Sequence, residues 1–239
     1  MRLSTTRTIT RHRVNLYTLL SIISVICLIL QFEPMASLTE WHSYNIRHGE
    51  WWRIVTGNLT HTNFAHLGMN LAGLWIITFI FRPSTRNFLI VFSLLCAFVG
   101  AMNLFTNMSV YVGLSGVLHG LFGFWALREV FESRRSSLLL VGGLIAKVAW
   151  EQIYGPSSST AALIGANVAI DAHLFGALGG LTMALMEKAF AVVYSVKKSR
   201  TTKEGLVRES SNRETDIVLN SDSISEIHQA TVKCGLRFS

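Results

Sequence analysis

Long apolar runs separated by short polar stretches set the pattern of the chain. A helix that crosses a bilayer needs about 20 mostly apolar residues. Six runs meet this requirement: 14–32, 60–81, 87–105, 113–131, 137–154 and 170–194. The pattern predicts an all-α, polytopic membrane protein whose six transmembrane helices form one bundle.

The two ends of the chain are polar and lie outside the predicted bundle. Residues 1–13 carry four arginines and no acidic residue, and residues 195–239 are rich in Ser, Thr, Glu and Arg. We expect a cytoplasmic basic N-terminus, a membrane domain over 14–194 and a cytoplasmic tail without stable order. The first run, 14–32, exceeds the roughly 7–15-residue core of a cleaved signal peptide, so it should be retained.

Composition agrees with a membrane protein and excludes a soluble domain. Half of the residues are hydrophobic and 15% are charged, whereas a soluble domain carries about 25% charged residues. The net charge of +7 comes from basic residues that flank the apolar runs. Membrane topology explains this excess better than nucleic-acid binding does. No spacing of Cys or His predicts a metal or nucleotide site, so no cofactor is expected.

The distribution of Lys and Arg predicts the orientation, because cytoplasmic loops carry the basic excess. One side has only Arg47 and Arg53. The other side collects Arg2, Arg7, Arg11, Arg13, Arg82, Arg86, Arg128, Arg134, Arg135, Lys197, Lys198, Arg200 and Lys203. Both termini should therefore be cytoplasmic, and the second, fourth and sixth helices should all run from outside to inside.

Four polar residues share a depth in these three parallel helices. Ser115 opens the fourth run, His173 lies a few residues into the sixth, and His66 and Asn70 are four apart on one face of the second. An ionisable side chain inside a span is costly and is a functional hypothesis by default. We expect the four side chains to form one polar layer just below the external surface.

Glycines on the fourth and sixth helices indicate that these two helices pack closely. Gly116, Gly120 and Gly123 form a stripe on the fourth helix, and Gly176 and Gly180 form one on the sixth. Small residues four apart let helix backbones approach closely in lipid. These could be general packing glycines, but close approach of the two helices would also carry Ser115 towards His173.

The chemistry of this layer is that of acyl transfer. A serine becomes a nucleophile when an adjacent imidazole takes its proton. The resulting oxyanion needs hydrogen-bond donors. The backbone N–H of Ser115 at a helix N-terminus, together with the side chains of Asn70 and His66, could supply them.

These segments resemble the rhomboid family of intramembrane serine proteases. The motif GLSGVLHG (Gly113–Gly120) is similar to the family's GxSG motif, and HTNFAHLGMN (His61–Asn70) has its His-x4-His-x3-Asn spacing. AHLFGALGG (Ala172–Gly180) and the pair Trp52–Arg53 are similar to further family elements. The resemblance extends in order and spacing over residues 45–190.

The resemblance implies roles for individual residues. Ser115 would be the nucleophile and His173 the base of a dyad without a carboxylate. Asn70, His66 and the Ser115 amide would form the oxyanion hole, and His61 would lie at the water-accessible rim.

Further residues would pack near the site or line its entrance. Gly113, Gly116 and Gly176 would allow close packing. His119 stands where the family often has a Tyr that stacks on the catalytic His, so it could pack on the ring or alter its basicity. Glu151 could line the substrate entrance.

Other roles for three charged residues stay open in the sequence. Glu151 lies four residues after Lys147 and could instead form a structural ion pair with it. Asp171, two residues before His173, points to another side of the helix and should not orient it. Arg53 should tie down the first loop.

The segments RHGEWWRIVTGNLTHTNFAHLGMNLAGL, YVGLSGVLHGLFG, KVAWEQ and DAHLFGALGG resemble one branch, the rhombosortases. This resemblance implies a bacterial inner-membrane protease whose site faces the periplasm. Its substrates would carry a C-terminal Gly-Gly sorting tail, in which a Gly-rich stretch precedes a transmembrane helix. Alternatives are a general rhomboid without a dedicated tail substrate, a non-catalytic relative that binds membrane helices, and a small transporter.

Overall fold

A computed structural model describes residues 4–198 and residue 200, with side chains from Leu16 onwards. Most of the predicted polar tail 195–239 lies outside the described residues, and so does the start of the N-terminus. Contacts divide the chain into two units, 1–186 and 187–239. The first unit contains all the residues of the predicted polar layer.

Ten helices, one 3-10 turn and two short strands form the described part of the chain. The long helices are α1 (Ser4–Ile29), α5 (Phe64–Phe81), α6 (Thr85–Met102), α7 (Ser115–Phe131), α8 (Ser137–Tyr154) and α10 (Ile170–Lys198). The short elements are α2 (Met35–Thr39), β1 (Trp41–His42), α3 (Ser43–Arg47), α4 (Arg53–Thr56), the 3-10 turn Asn103–Phe105, β2 (Val110–Tyr111) and α9 (Ser158–Ile164).

Each of the six predicted apolar runs forms a long helix, but fewer of them qualify as membrane spans. Among the described residues, three helical segments are long and apolar enough: Phe64–Phe81, Thr85–Phe105 and Ile170–Lys198. A fourth results if α8 and α9, which meet at 87°, count as one broken span. The apolar part of α1, Leu16–Ile29, and the 17-residue α7 are shorter. Six spans therefore stay a prediction.

The first loop is folded around Arg53. The guanidinium of Arg53 is buried and donates to the carbonyl oxygens of Ser37 and Glu40, both at 2.8 Å. It also donates to the carboxylate of Glu50, and this bond lowers the pKa of that carboxyl. One guanidinium thus binds Ser37 in α2, Glu40 just after α2 and Glu50 before α4. These contacts agree with the predicted role of Arg53 in holding the first loop together.

The paired strands connect the first loop to the segment before α7. Trp41 lies opposite Tyr111 in the antiparallel pair β1–β2, and both side chains are buried. The indole of Trp41 donates to the carbonyl oxygen of Gly100 at 2.8 Å. The loop that leads to Ser115 is thereby fixed on one side by a buried aromatic pair.

Helices α7 and α10 pack with their backbones in contact. A Cβ atom at Gly176 would collide with the carbonyl oxygen of Gly116, and one at Gly180 would collide with that of Gly120. A Cβ at Gly116 would lie 2.8 Å from the carbonyl oxygen of Ala172. Gly116 and Gly120 therefore face Gly176 and Gly180, as expected from the two stripes, and the helices approach as closely as their backbones allow.

Candidate active site

The residues before Ser115 form a tight turn that only glycine fits. Gly113 has φ +122°, and its N–H donates to the carbonyl oxygen of Gly57 at 3.1 Å. The Tyr111 hydroxyl donates to the carbonyl oxygen of Gly113 at 2.6 Å. A Cβ at Gly113 would lie 2.7 Å from the ring of His66. The positive φ and the close ring both require glycine at this position.

The close packing of α7 and α10 brings Ser115 and His173 into hydrogen-bond contact. Ser115 is the first residue of α7, and its Oγ lies 2.9 Å from Nε2 of His173. His173 is buried, with 4% of its surface exposed. The contact joins the two residue types that nucleophilic acyl transfer needs at a distance suitable for proton transfer.

The second nitrogen of His173 meets a carboxylate. Nδ1 lies 2.9 Å from Oε2 of Glu151 on α8, and the other carboxylate oxygen accepts from Lys147 Nζ at 2.7 Å. The family resemblance implied a dyad without a carboxylate, so this neighbour is a difference from that expectation. The i, i+4 spacing predicted the Lys147–Glu151 pair, but no sequence signal related α8 to α10.

Glu151 and Asp171 lie on different sides of the site. Asp171 lines the groove beside Ser115, whereas Glu151 lies against His173 and is not among the residues that line this groove. Both ring nitrogens of His173 face other groups, Ser115 and Glu151. Asp171 therefore does not orient the imidazole, as expected from its i, i+2 position.

His119 packs flat on His173. The two ring centroids are 4.1 Å apart and the planes differ by 17°. Nδ1 of His119 donates to the carbonyl oxygen of Ser115 at 2.7 Å. The packing role that the sequence left open is thus present in the geometry, and it fixes the ring one helical turn below Ser115.

His66 and Asn70 lie on the other side of the turn that precedes Ser115. The backbone N–H of His66 donates to the capping side chain of Asn63 at 2.8 Å, which fixes the start of α5. The backbone N–H of Thr62 points to Nδ1 of His66 at 3.5 Å. The Thr62 hydroxyl donates to the carbonyl oxygen of Ile164 at 2.7 Å and lies 3.1 Å from the same ring nitrogen, so two groups of Thr62 hold the His66 ring in place.

Asn70 has a donor that is not used within the described structure. Its Nδ2 is buried and has no hydrogen-bond partner among the described residues. A Cβ at Gly113 would lie 3.6 Å from this nitrogen. A buried amide without a partner is costly, so this nitrogen is a candidate donor to a group bound beside Gly113.

His61 is not at a water-accessible rim, which corrects one expectation. It is 4% exposed, and its ring meets that of His66 edge to face with 5.1 Å between centroids. The side chain of Gln31 donates to its carbonyl oxygen at 3.2 Å. The chain that leaves α1 therefore packs against this position, and the neighbouring Thr62 lines the groove instead.

A groove of about 490 Å³ opens beside Ser115. Its walls come mainly from residues 107–112 before α7 and 166–171 before and at the start of α10, with Thr62 and His66 on a third side. Both polar and apolar side chains line it. A segment of extended peptide could therefore lie across the N-terminal end of α7 with a carbonyl group near Ser115.

One possible metal-ligand atom from each of three residues, His119, Glu151 and His173, lies within 4.8 Å of the other two. Both nitrogens of His173 and one of His119 already face protein groups. The ammonium of Lys147 also lies next to the carboxylate that a cation would need. The donor set is therefore better matched to its protein partners than to a metal ion.

The apolar helices and the buried polar layer define an integral, multi-pass membrane protein. A comparison with protein families matches the rhomboid domain over residues 48–189, which is more than half of the chain. The chain belongs to the rhomboid family, and this membership supports an intramembrane protease. The residues of the polar layer all lie inside the matched region.

Two curated proteins show similarity over most of the same region. "Putative rhomboid protease YdcA" of Bacillus subtilis (strain 168) is 28% identical over 167 residues, which cover 64% of this chain and 78% of that protein. "Rhomboid-like protein 11, chloroplastic" of Arabidopsis thaliana is 28% identical over 188 residues, which cover 71% of this chain and 64% of that protein. The chain thus spans less than two thirds of the length of the Arabidopsis protein.

Proposed function

We propose that the protein is an intramembrane serine endopeptidase in which Ser115 is the nucleophile and His173 the general base. The observation that carries the proposal is the 2.9 Å contact between Ser115 Oγ and His173 Nε2, in which Ser115 also lines a groove. Membership of the rhomboid family supports the same activity. A transporter or a helix-binding relative would not require this contact.

In the proposed reaction, Ser115 Oγ attacks the carbonyl carbon of a substrate peptide bond while His173 Nε2 takes its proton. The negative charge that develops on the carbonyl oxygen is stabilised by the Ser115 backbone N–H, by Asn70 Nδ2 and by the side chain of His66. His173 then gives its proton to the leaving amine, and an acyl-enzyme forms. Water, activated by the same imidazole, hydrolyses the ester and regenerates Ser115.

The groove supports a substrate segment in extended form. The backbone at the scissile bond must leave its helix before Ser115 can reach it, and glycine opposes the helical conformation. We propose that substrates are transmembrane proteins with a Gly-rich segment before a membrane helix, as in C-terminal Gly-Gly sorting tails. The similarity of four segments to rhombosortases supports this choice of substrate.

The proposed location is a bacterial inner membrane with both termini in the cytoplasm and the site towards the periplasm. The uneven distribution of Lys and Arg between the two sides supports this orientation. Residues 1–13 and 195–239 would then be cytoplasmic extensions of the membrane domain 14–194. Cleavage would take place near the external membrane surface and release the part of the substrate that precedes its anchor.

Co-expression with a reporter that ends in a Gly-Gly tail tests the proposal. We expect wild-type protein to release a shortened reporter, and mass spectrometry of the product gives the cleaved bond. Ser115→Ala and His173→Ala should abolish release while both variants accumulate in the membrane. Retained release in either variant would reject the proposed chemistry.

A second reporter tests the substrate class. It carries an unrelated transmembrane helix in place of the Gly-Gly tail, with the same soluble part. Cleavage of the first reporter alone supports a dedicated tail protease. Equal cleavage of both reporters would instead support a general rhomboid protease, and labelling of wild type by a fluorophosphonate without cleavage of either would reject both substrates.

A further inference from the structure

The carboxylate of Glu151 has a place in the reaction itself. We propose that Glu151 is a positioning residue that holds His173 in the tautomer and orientation needed to accept the Ser115 proton. The site would then work as a Ser115–His173–Glu151 triad. This inference rests on the proposed protease function and adds a third group to it.

The two contacts of the His173 ring fit this role. A neutral imidazole carries one proton, so one nitrogen donates and the other accepts. Nδ1 faces a carboxylate at 2.9 Å, which can only accept when ionised, and Nε2 faces the Ser115 hydroxyl at 2.9 Å. The proton therefore belongs on Nδ1, which leaves Nε2 free to take the proton of Ser115.

The carboxylate also acts at the next stage of the reaction. When Ser115 attacks, its proton moves to Nε2 and the ring becomes an imidazolium. The negative charge of Glu151 next to Nδ1 stabilises this cation without taking its proton. The proton count is unchanged, since the proton on Nε2 later goes to the leaving amine.

Neighbours on two helices hold the carboxylate in place. Lys147, one helical turn before Glu151 on α8, binds Oε1 at 2.7 Å, so each carboxylate oxygen has one partner. The Glu151 side chain is 12% exposed, and that of Lys147 is 51% exposed. A largely buried carboxylate needs such partners, because an unpaired one would be too costly.

His119 completes the enclosure of the imidazole on a third side. Its ring lies nearly parallel to that of His173, so the imidazole has little room to tilt. The ring of His173 has a single hydrogen-bonded orientation, because Glu151 lies at one edge, Ser115 at the other and His119 on its face. A purely structural ion pair between Lys147 and Glu151 would not need the second carboxylate oxygen to meet the catalytic ring.

Kinetics of the full-length protein in liposomes test the role of Glu151. The measurement is cleavage of the Gly-Gly-tailed reporter, with the amount of protein in each preparation determined by amino-acid analysis. Glu151→Gln should lower kcat on the order of 10²–10⁴-fold, the range between a general-base contribution and loss of the orienting carboxylate in a triad. KM and the unfolding temperature should change little, and Glu151→Asp should recover part of kcat.

Two matched variants separate positioning from stability. Lys147→Gln removes the same ion pair but leaves the carboxylate on His173, so its loss of kcat should be much smaller than that of Glu151→Gln. Glu132 is exposed, follows the last residue of α7 and pairs with Arg128, at the opposite end of the helix from Ser115. Glu132→Gln should therefore leave kcat unchanged. Equal losses in Lys147→Gln and Glu151→Gln would overturn the inference.

A spectroscopic signature checks the contact independently of turnover. With ¹⁵N-labelled histidine, the Nδ1–H proton of His173 should resonate far downfield in wild type and in Ser115→Ala, and the signal should disappear in Glu151→Gln. Normal kcat in Glu151→Gln, or cleavage that stops on addition of a metal chelator, would reject the positioning role. Cleavage by Ser115→Ala would instead reject the proposed function itself, so the two failures are distinct.

Discussion

The imidazole of His119 lies face to face with that of His173, with 4.1 Å between ring centroids. The same residue donates from Nδ1 to the carbonyl oxygen of Ser115. His119 thus connects the face of the proposed base to the backbone of the proposed nucleophile. Because of this double contact, substitutions of His119 test directly how precisely the His173 ring must be positioned.

Replacing His119 by alanine should lower kcat for reporter cleavage. A stacked aromatic pair is worth about 1 kcal/mol beyond the area it buries, so we expect roughly a fivefold effect from the lost stack. His119→Tyr keeps an aromatic ring and should retain more activity than His119→Ala. The measurement is kcat of both variants with the same reporter.

The pH–rate profile of His119→Tyr separates packing from proton chemistry. If His119 only packs, the profile keeps the shape of the wild-type curve, because no titrating group has been lost from the reaction. A profile that changes shape would show that His119 takes part in the ionisation of the site.

The glycine contact between α7 and α10 should not tolerate a methyl group. In Gly176→Ala the new Cβ would collide with the carbonyl oxygen of Gly116. Overpacking of this kind typically costs about 1–3 kcal/mol. We expect a lower unfolding temperature in detergent and reduced fluorophosphonate labelling, since the helices must separate and move His173 away from Ser115.

Gly142→Ala provides the matched control on a neighbouring helix. A Cβ at Gly142 on α8 would meet no atom within 4 Å. The same substitution should therefore be neutral or slightly stabilising, because alanine favours the helix over glycine by up to about 1 kcal/mol. A similar loss of stability in both variants would show that the contact between Gly176 and Gly116 is not what limits packing.

Asn70→Ala should reduce the rate of the chemical step. The side chain offers a buried Nδ2 that is unpaired among the described residues, and loss of one oxyanion donor costs about 10²–10³-fold in kcat. KM should change less, since the donor acts on charge that develops in the transition state. A lower kcat with unchanged reporter binding supports the role, whereas a wild-type kcat would show that Asn70 is not an oxyanion donor.

Arg53→Ala should destabilise the first loop more than it affects chemistry. The substitution removes donors to the Ser37 and Glu40 carbonyl oxygens and to the Glu50 carboxylate. Hydrogen bonds of a charged group contribute about 1.5–3 kcal/mol each, so we expect a loss of a few kcal/mol. Thermal unfolding in detergent measures it.

Arg47→Ala is the control for charge on the same loop. Arg47 is exposed and donates to the carbonyl oxygen of Leu104 at 2.9 Å. Its removal should change the unfolding temperature little. If the two variants unfold alike, Arg53 is not the residue that ties the loop down.

The sequence predicted the helical character of all six apolar runs and the polar layer within them. The Lys and Arg counts predict the direction of each helix, and position along each helix predicts depth. These two patterns together place Ser115 and His173 at similar heights in the bundle. The glycine stripes added the reason for the two helices to touch, and the backbone contact at Gly116 agrees with it.

Three features could not be read from these patterns. Position along a helix gives height but not rotation about the axis, so nothing indicated that α8 turns Glu151 towards His173 while Asp171 turns to the groove. His61 was expected at the rim, and packing against distant residues such as Gln31 buries it instead. Periodicity also could not show that α8 breaks sharply into α9, which lowers the number of uninterrupted spans.

What the sequence determined by itself is which chemical groups share one level of the bundle, because 1.5 Å of rise per residue fixes height within a helix. What only the tertiary structure decided is which atom faces which: Nε2 of His173 to Ser115, Nδ1 to Glu151, and the ring face to His119. The reason is that the rotation and mutual approach of helices depend on packing between segments far apart in the chain, and local spacing carries no information about them.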